Sequence, residues 1–244
     1  MKKATASALA AIVVLTLAAL PGYGQTTQDV LNKMIEATGG RKALQAIKDT
    51  TISGTAEMVQ FGMTANITIY QKEPNKVRYD IDISAAGMTI VQAYDGQKAW
   101  FTNPQTGATE EMPELQAKDF SRQALGNAAL LDPAKLGITY ALKPKAKIED
   151  KDYIVLEQTL ADGHKTTIYL DPATYLPYKS TTKSIDMSGA EIDAETFAGD
   201  YRKVDGTLVS FSMRILQNGA EFMRMTFSSV KYNSNIDDAL FVMK

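Results

Sequence analysis

Alternation of apolar and polar positions is clearest between Gln71 and Gly107. Val77, Tyr79, Ile81 and Ile83 interleave with Arg78, Asp80 and Asp82. That period of two puts four apolar side chains on one face of a strand and three charged ones on the other. A second strand is predicted from about Met88 to Tyr94 and a third from Lys98 to Thr102, which carries Trp100 and is stopped by Asn103-Pro104. Asp95-Gly96 joins them as a tight hairpin, a pair favoured where both central residues need positive φ. A sheet of this kind has one wet face and one apolar face, and the apolar face needs a cover.

The same pattern extends to both sides. Ile52, Gly54, Ala56 and Met58 alternate with polar neighbours, Phe61-Gly62 makes a turn, and Met63, Ala65, Ile67 and Ile69 alternate again. Further strands are predicted over Tyr153–Leu160, Lys165–Leu170, Tyr178–Met187, Glu195–Tyr201, Leu208–Leu216 and Glu221–Tyr232, with Asp162-Gly163, Asp205-Gly206 and Asn218-Gly219 as hairpin signals. Ten or eleven hairpin-linked strands imply an antiparallel sheet curled into a barrel or half-barrel.

Two stretches read as helical. From Thr26 to Lys48, a Thr cap precedes an apolar stripe of Val30, Leu31, Met34 and Ile35, and Gly39-Gly40 ends the helix. A short turn carrying Ala43, Leu44 and Ile47 follows. Between Glu110 and Gly137, Pro113–Leu125 has helical composition with Leu115, Phe120, Ala124 and Leu125 facing inward. Ala128–Leu131 is a further apolar run, and Gly126-Asn127 is a break between the two. A helical insertion inside an antiparallel sheet is the natural cover for its apolar face.

Met1–Gly24 has a basic start, an apolar run from Ala4 to Leu20 and small residues at its end, the pattern of a secretory signal peptide cleaved after Gly24. The run is at the short limit for a bilayer span, so an uncleaved anchor is the alternative. Residues 25–244 then read as one domain. The chain has 26 basic against 28 acidic residues, and losing Lys2 and Lys3 makes the remainder slightly more acidic. That balance does not suit nucleic acid or an anionic membrane surface. With no cysteine, disulfides, thiol catalysis and cysteine-ligated metals are excluded.

Candidate chemistry is sparse. His164, the only histidine, falls in a predicted turn and reads as solvated, a poor start for a nucleophile relay. Glu191, Asp193 and Glu195 share a strand face, as do Asp80 and Asp82. Such pairs could serve glycoside hydrolysis or a divalent cation, although alternating acids are commonly the wet side of a strand. No catalytic residue, cofactor or metal site is predicted. Seven of the eleven methionines lie in predicted strands: Met58, Met63, Met88, Met187, Met213, Met223 and Met225. Methionine fills cores, and it also lines surfaces that accept variable apolar shapes, so an apolar ligand cavity is one reading of them.

Several local motifs point one way. Lys72-Glu73-Pro74-Asn75, the run from Asp95 to Pro104, Ala37-Thr38-Gly39-Gly40, Asp171 to Pro177, Asp200-Tyr201-Arg202 with Asp205-Gly206, and Ala239-Leu240-Phe241 together resemble the LolA family of periplasmic lipoprotein carriers and the broader lipoprotein-sorting group. The resemblance spans the chain after the leader, each motif alone being weak. It implies an incomplete β-barrel covered by short helices, whose cavity holds the acyl chains of a lipoprotein, or a free lipid, in a periplasmic monomer. Partners would be the inner- and outer-membrane lipoprotein-transfer machinery, and no nucleic acid. The expected cavity wall is Met63, Ile67, Ile69, Val77, Tyr79, Ile81, Ile83, Met88, Ile90, Phe211, Met213, Met223 and Met225, under a lid carrying Leu115, Phe120, Leu125, Leu130 and Leu131. Two departures stand out. The family has an arginine before its Pro-Asn that ties down the lid, where this chain has Glu73, and the chain stops soon after Phe241 without the C-terminal extension of the best-known carriers. A sensor of lipids or mislocalised lipoproteins on the same fold, and a hydrolase using the acidic strand faces, remain the other readings.

Overall fold

The computed structural model describes residues 25–186 and 188–244. The expected leader Met1–Gly24 and Met187 lie outside the described residues. Helix α1 (Thr27–Ala37) starts at a reciprocal cap: the Thr26 hydroxyl accepts the Asp29 N–H at 3.1 Å while the Asp29 carboxylate accepts the Thr26 N–H at 3.0 Å. Its stripe of Val30, Leu31, Met34 and Ile35 is buried. Gly39 follows with φ 127° and sits against the backbone of Gly206 and Thr207, where a Cβ would approach within 2.8 Å. Helix α2 (Arg41–Ala46) then leads into the sheet.

Six strands follow in sequence, β1 (Asp49–Met58), β2 (Met63–Lys72), β3 (Lys76–Ile83), β4 (Met88–Tyr94), β5 (Ala99–Thr102) and β6 (Thr109–Glu111). Helices α3 (Glu114–Gln123) and α4 (Ala128–Leu131) come next. The chain returns as β7 (Thr139–Ile148), β8 (Lys151–Thr159), β9 (Lys165–Leu170), β10 (Pro177–Ile185), β11 (Glu191–Val204), β12 (Thr207–Gln217) and β13 (Ala220–Tyr232). All thirteen form one antiparallel sheet in the order β6-β5-β4-β3-β2-β1-β13-β12-β11-β10-β9-β8-β7. The first and last strands of this order do not pair, so the barrel stays open between β6 and β7. The α3–α4 segment is the connection from one free edge to the other.

Those two edges are the strands that alternation misses. β6 has three residues, all exposed, and β7 carries Pro144 among Lys143, Lys145 and Lys147, with a register shift between Lys143 and Ala146. Proline and lysine are what sheets tolerate at an edge, where a missing N–H harms no ladder and charge discourages further pairing. The Asp95-Gly96 turn also differs from expectation. Only Gly96 has positive φ, at 102°, and the Asp95 carboxylate accepts the N–H groups of Gln97 and Lys98 at 2.8 and 2.7 Å, so the loop runs through Lys98. Asp205-Gly206 and Asn218-Gly219 do have positive φ at both positions.

The concave face holds two packed halves. Against β8 and β9, α1 buries Val30, Leu31 and Met34 with Ile154, Leu156 and Leu170. On the other side, Phe120 of α3 and Ala124 at its C-cap pack with Ile67, Ile69, Val77, Phe211, Met225 and Phe227. The convex face of β3–β5 is not bare either. The C-terminal segment crosses it, with the Trp100 indole N–H donating to the Phe241 carbonyl at 2.7 Å, Arg78 to Leu240 at 2.8 Å and Lys72 to Ile236 at 2.7 Å. Phe241 is fully buried there.

Close packing at the β1–β13 seam yields one prediction. A Cβ on Gly54 would lie 2.2 Å from the Thr226 carbonyl oxygen and 2.7 Å from the Phe227 Cα, both backbone atoms. Gly54→Ala is expected to cost about 1–3 kcal/mol, read as a lowered urea midpoint, and an unchanged midpoint would mean that the seam is looser than described.

Candidate functional site

All thirteen expected wall residues lie on one face of the sheet. The register pairs Ile67 with Ile81, Ile69 with Tyr79, Ile81 with Ile90, Ile83 with Met88, and Met213 with Met225. What the face does differs from place to place. Ile67, Ile69, Val77, Phe211 and Met225 are buried in the cluster under α3, with Tyr79, Ile81, Met213 and Met223 partly buried beside them. The Tyr79 and Phe120 rings meet edge to face at 5.6 Å. This middle of the concave face is therefore filled by the cover itself. Ile83 is buried outside that cluster, and Met63, Met88 and Ile90 are partly exposed near the β1–β2 and β3–β4 turns.

The open volume lies at the other end, where the β2–β3 and β11–β12 hairpins turn. A cavity of about 330 Å³ is walled there by Ile52, Val209 and Tyr232 from the sheet and by Leu125 and Leu130 from the cover. Thr50, Gln71, Glu73 and Asn127 supply its polar positions. Of the eighteen residues expected for wall and lid, only Leu125 and Leu130 line this volume. Sequence periodicity found the apolar face but not where it is left unfilled, because that depends on where the helices land.

The cover itself has two parts. α3 is bolted down. The buried Asp119 carboxylate accepts the Ser184 hydroxyl at 2.6 Å and the Ile185 N–H at 3.3 Å, and its other oxygen accepts from Arg122 at 3.1 Å. Arg122 continues to Asp162 at 2.9 Å, which Lys118 also reaches at 3.2 Å. The Arg122 bond, with the His164 N–H, holds the Asp162 carboxyl well below the usual carboxylate range. Leu115, expected inward, is 60 % exposed at the start of α3, because the face the helix presents to the sheet is that of Phe120 and Ala124, which were expected inward as well.

α4 is short. The Tyr140 hydroxyl donates to its Ala129 carbonyl at 3.3 Å, and its other fastenings are at its ends. At its N-terminus the Glu73 carboxylate accepts the Asn127 N–H at 2.7 Å, and a Cβ on Gly126 would lie 2.3 Å from that oxygen. At its C-terminal end Arg41 donates to the Leu131 carbonyl at 2.8 Å. An anion at the start and a cation at the end match the polarity of the backbone groups left free there. Leu131 is buried with Ile35, Leu44 and Ile47, while Leu130 reaches the cavity. Burial holds the Glu73 carboxyl above its ordinary range, offset in part by the N–H groups of Asn127 and Ala128. The Glu73 role was not legible from local pattern, since the residue it caps is 54 positions away.

The polar candidates are tied up elsewhere. Glu191 and Asp193 reach Lys183 at 3.6 and 2.8 Å, Glu195 pairs with Lys179, and Asp80 takes Arg78 at 2.6 Å. His164 is half-buried and not solvated as expected, its Nε2 lying 2.8 Å from the Thr182 hydroxyl. Among the described residues no group of three or more His, Cys, Asp or Glu side chains could hold a metal ion.

No protein-family model and no curated protein matches the sequence. Solved structures do match its fold. The chain is similar to an outer membrane lipoprotein-sorting protein domain from Vibrio parahaemolyticus, with a TM-score of 0.58 and 14 % identity over 87 % of this chain and 94 % of that one. A DUF1329 family protein from Desulfovibrio piger gives 0.60 and 16 % over 89 % and 98 %. A LolA superfamily protein from Nitrosomonas europaea gives 0.57 and 16 % over 89 % and 97 %. At these identities the likeness is one of fold: an unclosed, helix-covered antiparallel barrel of the LolA kind.

The bolt on α3 can be broken singly. Asp119→Ala leaves Ser184 and the Ile185 N–H without their acceptor and half-buried Arg122 without one carboxylate. A loss of about 3–5 kcal/mol is expected, seen in urea unfolding together with faster amide exchange in α3. Unchanged stability would reduce the network to surface decoration.

Proposed function

We propose that this protein is a non-enzymatic carrier, working in the periplasm after loss of its leader, that holds the acyl chains of a lipoprotein or a related lipid for transfer towards the outer membrane. The observation that supports it most directly is the cavity of about 330 Å³ at the edge of an apolar concave face, under a four-residue helix fastened at its two ends and by the Tyr140 hydroxyl on Ala129. Its size is at the low end of the range for small-molecule sites, about 300–1,000 Å³. It takes one short apolar chain or the end of a longer one. The structures it resembles, an outer membrane lipoprotein-sorting domain and a LolA superfamily protein, point the same way. No helix among the described residues is long and apolar enough to cross a membrane.

Magnitudes decide which part of the cover moves. Withdrawing Leu130 and Leu131 from apolar contact costs roughly 1.5–3 kcal/mol each, and an entering chain returns about 0.8 kcal/mol per buried methylene. About four to eight methylenes therefore offset the opening of α4. Moving α3 as well would expose Phe120 and strip Asp119 of its partners, a far larger cost. In this reading α4 is the gate and α3 is the fixed part of the lid.

Two outcomes follow. Leu130→Trp should fill the cavity and weaken binding of the uncharged probe diphenylhexatriene at least tenfold, about 1.4 kcal/mol, without loss of stability; a folded variant with unchanged affinity would put the site elsewhere. In amide exchange, residues 126–131 should open well before β2–β4 and become protected when a lipid is bound. Gate amides as protected as the sheet, and unmoved by lipid, would leave a rigid plug.

A further inference from the structure

Glu73 occupies an unusual position for a carboxylate. It lines the cavity, is half-buried, and lies against Gly126 with its oxygen bonded to the Asn127 N–H at 2.7 Å. Among the described residues no ion pair with it is found, although the nearby Lys48 charge lowers its carboxyl pKa. The basic groups facing this region are committed to other acceptors: Lys48 to the Gln45 carbonyl, Lys72 and Lys76 to Asp238, and Arg41 to the Leu131 carbonyl and Asp132. The other acid in the cavity wall, Asp49, accepts the N–H groups of Ser234, Asn235 and Ile236 at 2.7–3.4 Å. Tyr140 and Tyr232, the cavity's phenols, are engaged with Gln158 and Thr207.

We propose that filling this cavity is linked to uptake of a proton by Glu73, so that an apolar ligand is held more tightly in acid and released as the pH rises. The inference rests on the carrier reading of the same cavity. Its physics is desolvation. A half-buried carboxylate keeps part of its hydration through the cavity, and methylenes placed there remove that water, which penalises the charged form. The neutral acid still accepts the Asn127 N–H through its carbonyl oxygen, so the α4 cap survives protonation. Burial in the empty state already favours the neutral form. Loading extends the same effect, and the loaded state binds the proton more tightly than the empty one. Reciprocity then requires that the proton tighten the ligand by the same factor. Affinity grows as pH falls through the Glu73 range, up to tenfold for each pH unit by which loading shifts that group.

The experiment uses the whole chain after the leader and diphenylhexatriene, which has no titratable group, titrated at constant ionic strength from about pH 8 to about pH 4, so that the ordinary carboxylate range and the region above it are both covered. Wild-type protein should bind several-fold more tightly in acid. Glu73→Gln should bind tightly and without pH dependence. Gly126→Ala, which pushes the carboxylate towards water without removing it, should flatten the slope as well. Calorimetry of wild-type protein in buffers of different ionisation enthalpy should show proton uptake on loading, a readout that needs no variant. Tight but pH-independent binding by wild type, or the same slope in Glu73→Gln, overturns the linkage and leaves the carrier reading standing. No binding at any pH overturns both.

Discussion

Everything in this molecule depends on a sheet that is apolar on its concave side and does not close. Thirteen antiparallel strands follow one another edge to edge, yet β6 and β7 never pair. A closed barrel would bury its interior by itself. An open one must borrow cover from elsewhere in the chain, and the only segment that joins the two free edges is the α3–α4 connection. α1 covers the β8–β9 half from the other direction. The cavity is the gap that these covers leave at one end, walled by sheet and helix residues together. A site of this kind is a consequence of incomplete closure, so its volume can change when a cover shifts while the sheet stays fixed.

Charge distinguishes the two parts of the cover. α3 carries a buried carboxylate with three donors and a chain of ion pairs to the β8–β9 turn. Taking such a network apart leaves charges uncompensated, which costs more than the hydrogen bonds alone would suggest. α4 has no such network. Its fastenings are one carboxylate on its first backbone donors, the Asn127 amide on the Leu44 carbonyl, the Tyr140 hydroxyl on Ala129 and one guanidinium on its last carbonyl, each replaceable by water. In the carrier reading, a stiff and a movable part of the cover therefore sit side by side within twenty residues, and the difference is which side chains each helix turns towards its neighbours.

Period-two alternation was enough to read the sheet and the face that packs inward, because residues such as Val77, Tyr79, Ile81 and Ile83 have no other way to be buried together. It was not enough for β6 and β7, whose residues are edge residues and obey solubility instead of alternation. Helical composition and the Gly126-Asn127 break gave α3 and α4, but Leu115 was assigned inward when the helix turns Phe120 to the sheet. The position of the cavity was illegible for a different reason. It is set by long-range contacts, such as Glu73 with Asn127 and Asn127 with the Leu44 carbonyl, that leave no periodic trace. The C-terminal strap is of the same kind, since Trp100 and Arg78 meet Phe241 and Leu240 across more than a hundred residues.

The resemblance to lipoprotein carriers implied an arginine where this chain has Glu73, and with it doubt about how the lid is held. The geometry shows a holding contact made with opposite polarity. A guanidinium fastens a cover by donating to carbonyls at the end of a turn, whereas Glu73 fastens it by accepting N–H groups at the start of α4. Both satisfy backbone groups that a short helix leaves free, so the exchange of sign preserves the fastening. It does not preserve the chemistry. An arginine stays charged at every pH a protein meets, so it can hold a lid but cannot sense what lies under it. A carboxyl can lose its charge at modest cost when its water is taken away. On the proposed linkage, substituting one for the other turns a permanent fastening into one whose charge depends on whether the cavity beside it is wet or filled.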